Sequence, residues 1–398
     1  MKSFSLVSVV FLAGAVASPQ LVPFASEQFP LDLGDPISST SYEGFHLDLS
    51  AQRLVEMEGQ KPVWMTELEK IRAKAQGIKF FDITETQDLG SSASLRHQSK
   101  PAFGSPNATD KVKPVLKTLS TAGPKSNLAK FSSFHTRYYR SDTGRQSQLW
   151  LLTKIKEYTE KYASESLQSL ITAKEFQHSW GQNSIIVRIN GSSTTDNSVV
   201  IVGAHLDSTN MWPFLPAPGA DDDGSGSMSI LESYRALLAA DFRPVRAVEF
   251  QWYSAEEGGL LGSQAIAKDY ESRRVDVFAM SQFDMTAWVK RGTREEVGII
   301  TDFVDAELTE FNKKLVDTYL DIPWVGTKCG YACSDHASFS KAGYPSSFTI
   351  ESAFENSNSN IHSQNDRIDV SPEFSFEHML EFSKLAVAYV IELGGWSN

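Results

Sequence analysis

Cysteine is scarce in this sequence: there are two in 398 residues, Cys329 and Cys333. Both fall within Cys-Gly-Tyr-Ala-Cys, so they cannot hold distant elements together. A disulfide there would shape one tight loop and gain little from chain entropy. A cysteine-type zinc site would need further soft ligands nearby, and none are found. Long apolar runs are missing beyond the first residues, which excludes a later membrane-spanning helix. Internal repeats are absent. Basic residues are outnumbered, with 37 Lys and Arg against 49 Asp and Glu, for a formal charge of −12. An acidic chain without a basic stripe is poorly suited to nucleic acid or an anionic membrane.

What is present supports a large core, since 41% of residues are apolar and 11% aromatic. Met1-Lys2 is followed by an apolar run from Phe4 to Val16, and Ala15-Val16-Ala17 has the small-x-small form of a cleavage site. The run is too short to span a bilayer as a mature helix. Residues 1–17 are expected to be a secretory signal and the protein to be extracellular. Residues 18–95 differ from the rest, with Pro19, Pro23, Pro30 and Pro36, a helical segment near Trp64–Gln76, and an exposed polar linker from Asp88 to Lys100. Such a segment behind a signal is often a pro-region, and the alternative is a subdomain that stays attached. Asn107-Ala108-Thr109 and Asn190-Gly191-Ser192 are sequons for N-glycans.

From about Leu116 onward helical and strand patterns alternate. Strands are expected at Ser184–Ile189, Val199–Ala204, Arg246–Tyr253, Phe278–Phe283, Val297–Thr301 and Ser347–Ile350. Helices are expected at Gln148–Tyr158, Ser225–Ala239 and Asp305–Tyr319, and after Ser371-Pro372 as N-cap and first helical residue. The pattern gives one α/β domain, three-layered, with a mixed and mainly parallel central sheet.

Several strands end in metal-ligand types, where open α/β sheets gather their sites. The segments are His205-Leu206-Asp207, Asp221-Asp222-Asp223 between glycines, Glu256-Glu257, Asp284, and His362 in a polar loop. Taken singly, each has a bland reading. His205 alone suits a structural histidine, the Asp run a solvated helix cap, and the Glu pair a surface loop. Together, two His, two Asp and one Glu would hold zinc in nitrogen and oxygen coordination, leaving a spare Glu for proton transfer.

These motifs, with Cys329-Gly330-Tyr331-Ala332-Cys333-Ser334-Asp335-His336, resemble the co-catalytic di-zinc aminopeptidases, most closely the fungal secreted leucine aminopeptidases. The resemblance implies a zinc exopeptidase-like fold at 96–398 behind a pro-region at 18–95 that covers the cleft and inhibits. It implies two zinc ions per subunit, with His205 and Asp284 on one, Glu257 and His362 on the other, and Asp222 bridging through a cis peptide to Asp223. Glu256 would be the general acid/base, with a metal-activated water as nucleophile. Asp207 would orient His205, and Asp223 would support Asp222. A Cys329–Cys333 disulfide would shape the pocket wall. Met285, Ile300, Tyr331, Cys333, Phe348, Ile350, Phe354 and Ile361 would line a recess for an apolar N-terminal side chain such as leucine. Ser357 stands where a bacterial relative is aromatic, which leaves the exact preference open. His336 would be structural, and His46, His97, His135, His178 and His378 fall outside the motifs. The implied substrate is a peptide with a free amino end, and the enzyme would act as a monomer. The rivals are a carboxypeptidase, which would place basic residues at a substrate carboxylate, a catalytically dead binding module, and a calcium-stabilised protein.

Overall fold

A strand that is apolar at every position must be covered on both faces. In the computed structural model, which describes residues 42–97 and 101–397, the run Val199–Ala204 meets that requirement at the centre of a sheet. The expected signal peptide and the proline-rich stretch behind it lie outside the described residues.

A small sheet holds β1 (Gln52–Glu56), β2 (Val63–Thr66) and β3 (Phe81–Asp82), in the order β2-β1-β3. The large sheet holds β4 (Ile171–Phe176), β5 (Ser184–Ile189), β6 (Val199–His205), β7 (Ala247–Tyr253), β8 (Val277–Phe283), β9 (Val297–Ile300), β10 (Trp324–Thr327) and β11 (Ser346–Ile350). Its order is β10-β9-β11-β8-β6-β7-β5-β4. β6 runs parallel to both β7 and β8, while β4, β5 and the β9–β11 pair supply the antiparallel contacts.

Side chains alternate across a strand, so β6 serves two cores. Val200, Val202 and Ala204 face a cluster built with the helices Asp142–Tyr162, Gly224–Ala239, Ala306–Tyr319 and Phe376–Gly394. Val199 and Ile201 face a second cluster with Ile266, Ala267 and Tyr270 of helix Leu261–Arg273 and Phe339 of helix His336–Lys341. The result is three layers, helix on sheet on helix, as the strand pattern implied.

Four local expectations need correction. The helix at Trp64–Gln76 begins only at Glu67, because Thr66 and Glu69 form a reciprocal capping box that ends β2 there. Leu149, expected on the apolar stripe of its helix, is exposed. Asp88–Lys100 is not a free linker over its described part: Leu89 joins the second core cluster, and the N–H groups of Gly90 and Ser92 donate to the Glu271 carboxylate at 2.8 Å. The last helix starts at Phe376, capped by Ser375, not at Pro372. The Phe374 backbone pairs with Trp288 and the Ser375 N–H bonds Ala287 O, which holds the chain extended for one more turn.

Residues 42–97 belong to the same compact unit as the rest. They are held together by a buried ion cluster, which meets the body where Lys70 Nζ donates to Gly258 O at 3.2 Å and Asp82 N to Gly259 O at 3.1 Å. Asp82 accepts from Arg53 Nε at 2.7 Å and Lys70 Nζ at 2.9 Å, and Glu67 lies 3.0 Å from the same Lys70 nitrogen. Burial alone would raise the Asp82 carboxyl, but Lys70 and Arg53 outweigh it and hold it below the usual carboxylate range. A carboxyl depressed by folding stabilises fully above its unfolded value of about 3.9, and loses that contribution as pH falls through its folded value. The segment should therefore loosen from the body below about pH 4, read as faster amide exchange over 52–82. Asp82→Ala should cost about 3 kcal/mol in urea unfolding, since two buried cations would keep only Glu67.

Candidate metal centre and cleft

β6 ends at His205, β7 runs into the turn of Glu256 and Glu257, and β8 ends one residue before Asp284. Asp222 precedes helix Gly224–Ala239, and His362 sits in the loop before the last helix. Five side chains from five segments thus meet at the carboxyl edge of the parallel strands. His205 Nε2 lies 3.0 Å from Asp222 Oδ1 and 3.6 Å from Asp284 Oδ1. His362 Nε2 lies 3.1 Å from both Asp222 Oδ2 and Glu257 Oε2. Asp222 offers one oxygen to each imidazole.

These residues fit a cation. Asp284 Oδ1 and Glu257 Oε1 are buried with no hydrogen-bond partner, and a buried carboxylate without one is costly. Nitrogen and oxygen donors of this kind suit zinc better than calcium or magnesium. Asp223 also lies within reach of His205 and Asp284. Its oxygens are engaged elsewhere: Oδ1 accepts from Gly226 N at 2.9 Å and Met285 N at 3.1 Å, and Oδ2 from His205 N at 3.0 Å. Asp222, joined to it by a cis peptide bond, has its oxygens turned to the two histidines.

The surrounding carboxylates position the backbone. Asp207 lies against His205 and also has a second part. Its main-chain oxygen meets His205 Nδ1 at 3.1 Å, with the carboxylate farther off at 3.5 Å. The carboxylate also accepts from the N–H groups of Glu256 and Glu257, at 3.1 and 3.2 Å, and so fixes the turn that parts those two side chains. Asp366, four residues after His362, accepts from Asp221 N at 2.9 Å and Asp222 N at 3.0 Å and ties the two loops together. Ser334 donates to Asp284 Oδ2 at 2.6 Å. Burial pushes the Glu256 carboxyl well up, with His205 opposing and Glu257 reinforcing, so it can hold a proton beside charged neighbours.

Glu256 lines a cleft together with Asp222, Glu257, Asp284 and His362. Met285, Ile300, Phe348 and Ile350 form a buried apolar cluster at its side, with Cys329, Cys333, Phe354 and Ile361 packed against it. Tyr331 stands at the wall, its ring 6.4 Å edge-on from that of Phe354, and Ser357 also faces the cleft. Cys329 and Cys333 form a disulfide.

The resemblance implied that residues 18–95 cover the cleft but named none of the residues that form its other wall. Lys74, Ile78, Lys79 and Phe80 of the N-terminal segment line the same cleft, and no motif marks them. It also gave no part to Arg137, whose buried guanidinium donates to Leu206 O at 3.0 Å and Gly219 O at 2.8 Å. Ser334 stood inside a quoted motif, next to Cys333, while Asp366 lies in the polar loop of His362, four residues on. Among the described residues, no other histidine joins either group of converging ligands. His336 is buried and stacked on Phe348 at 5.0 Å, and burial pushes it down to about 3. His46, His135, His178 and His378 bond Asp142, Phe214 O, Ser184 and Glu351 O. Asn107 and Asn190, the sequon asparagines, are exposed.

Removing the Asp223 carboxylate strands three N–H donors, at roughly 1–3 kcal/mol each. Asp223→Ala should therefore destabilise by at least about 3 kcal/mol in thermal unfolding. Asp207→Ala, which strands two, should cost less.

The comparisons agree with this geometry. The model of peptidase family M28 matches residues 184–386, which hold all five converging residues and Glu256. The chain is 51% identical over 352 residues to Leucine aminopeptidase 1 of Colletotrichum graminicola, covering 86% of this chain and 85% of that one. It is 48% identical to Leucine aminopeptidase 1 of Metarhizium robertsii, covering 86% and 87%. Among solved structures, the Legionella pneumophila LapA aminopeptidase superposes with a TM-score of 0.74 at 27% identity, covering 87% of this chain and 99% of that one. With five metal-ligand side chains converging at the carboxyl edge of a three-layer fold, this chain belongs to peptidase family M28 and is a metallo-aminopeptidase.

Proposed function

We propose that this protein is a secreted, monomeric di-zinc aminopeptidase that removes leucine and similar apolar residues from the free amino end of peptides. The observation that carries this reading is the charge of the cleft. Its ionisable lining on the body is acidic or imidazole, and its Lys and Arg residues, Lys74 and Lys79, both come from the N-terminal segment. A cleft of carboxylates attracts a free ammonium and repels a free carboxylate, which favours an aminopeptidase over a carboxypeptidase. The apolar cluster of Met285, Ile300, Phe348 and Ile350 suits a side chain such as leucine.

In this reading His205, Asp284 and Asp222 would hold one zinc, and Glu257, His362 and Asp222 the other. Bound zinc supplies Lewis acidity, polarising the scissile carbonyl and lowering the pKa of water. Glu256 takes the proton of the attacking water and delivers it to the departing amine. Its raised carboxyl pKa suits a group that must both accept and return a proton. Asp207, holding the N–H groups of Glu256 and Glu257, keeps the proton carrier apart from the ligand beside it. Residues 18–95 act as an inhibitory pro-region, and their lining of the cleft supports that part.

The test is zinc content together with hydrolysis of leucine para-nitroanilide, before and after chelation. The expected result is about two zincs per chain, with activity lost on chelation and restored by zinc. Bound zinc without activity on any amino-terminal substrate would overturn the substrate class. Glu256→Gln should keep its zinc and lose about 10²–10⁴-fold in kcat. An unchanged kcat would remove Glu256 from the reaction.

A further inference from the structure

The helix Glu67–Ala75 is aimed at the centre by its own capping and by the ion cluster beneath it. Its early turn is fixed by Thr66 and Glu69, and its buried Lys70 bonds Asp82 and also donates to Gly258 O at 3.2 Å. One turn later Lys74 reaches the loop of Glu256 and Glu257. Its ammonium donates to Glu257 O at 2.7 Å and forms an ion pair with Glu257 Oε2. The next residues close the contact, with Asp82 N donating to Gly259 O at 3.1 Å and Gln264 Nε2 to Asp82 O at 3.1 Å. The segment therefore grips one loop, 257–259, from both ends.

Glu257 Oε2, the oxygen that Lys74 holds, is also the one 3.1 Å from His362 Nε2. A divalent ion drawn between Glu257, His362 and Asp222 would share the Glu257 carboxylate with the ammonium, whether it took Oε2 or the unpartnered Oε1. Two cations on one carboxylate repel strongly where little water screens them. The side chain of Lys74 is only 26% exposed and that of Glu257 only 2%.

We propose that Lys74 is a latch that competes with the second metal ion, so that docking of the N-terminal segment and zinc loading of the Glu257–His362 site oppose one another. This deepens the proposed function, and it rests on the reading of Glu257 and His362 as zinc ligands. Competition of this kind is reciprocal: zinc must weaken the docking of the segment by the same factor that the segment weakens zinc. The latch is charge-specific. Methionine would keep the length and packing of the side chain without the ammonium, whereas arginine would keep the charge.

The test titrates zinc against a chelator of known affinity, in the full chain, for the wild type, Lys74→Met and Lys74→Arg. The expected result is two zinc sites of unequal affinity, the weaker tightened at least ~10-fold by Lys74→Met and little changed by Lys74→Arg. Equal zinc affinities in wild type and Lys74→Met would overturn the latch while leaving the metal site intact. Failure of both to bind a second zinc at saturation would overturn the ligand reading and the latch with it. Higher activity in Lys74→Met with unchanged zinc affinity would also overturn it, since the lysine would then be blocking substrate. Independently of folding in the variants, amide exchange over 66–82 of the wild-type chain should quicken as zinc is added, and unchanged exchange would count against the proposal.

Discussion

The carboxylate of Asp223 is the constraint on which the arrangement of the centre depends. It accepts three main-chain N–H groups, from the end of β6, the first turn of helix Gly224–Ala239 and the residue after Asp284. Each belongs to a segment that carries one of the converging side chains. Each of these N–H groups would cost roughly 1–3 kcal/mol if left unpaired, so this one group sets the spacing of His205, Asp222 and Asp284 before any cation is considered. Asp207 does the same for Glu256 and Glu257, and Asp366 for the loops of Asp222 and His362. The acids of the motifs divide into those that face the cleft and those spent on the backbone behind it.

That division explains what could be read from the sequence. The end of β6 was legible because that strand is apolar up to His205, and a polar residue where such a run stops stands out; β7 and β8 carry polar residues inside them (Glu249, Gln251, Ser281, Gln282) and were read from their flanking motifs. The three layers followed from the alternation of strands and helices. The partner of Asp207 was not legible, because which oxygen meets His205 Nδ1 depends on how the chain turns after β6. The start of the last helix was misplaced for a similar reason. Ser371-Pro372 is a good local start, but pairing of Phe374 with Trp288 prevails over it. The polar run from Asp88 looked like a linker because one buried leucine, Leu89, leaves no periodic trace.

The N-terminal segment was the least legible part, and it bears most on the chemistry. Lys70 and Lys74 are ordinary helix residues by composition, each with the helix propensity of any lysine. What distinguishes them is the carboxylate each one reaches, Asp82 and Glu257, and these are long-range contacts that no window of sequence reveals.

A set of buried carboxylates at the end of a sheet selects for positive charge, and its chemistry follows from which cation takes the place. In the proposed reaction the acids hold metal and attract the free amine of a peptide. In this structure one of them holds a lysine of the same chain. An apolar plug would fill the recess and leave the carboxylates unsatisfied, whereas an ammonium on a short helix satisfies a carboxylate and covers the cleft in one contact. Such a cover needs firm anchorage away from the site, because its ion pair at the site competes with metal. The cluster of Arg53, Glu67, Lys70 and Asp82, more deeply buried than Lys74, stiffens the segment from within, and the bonds of Lys70 to Gly258 O and of Asp82 to Gly259 O and Gln264 tie it to the body.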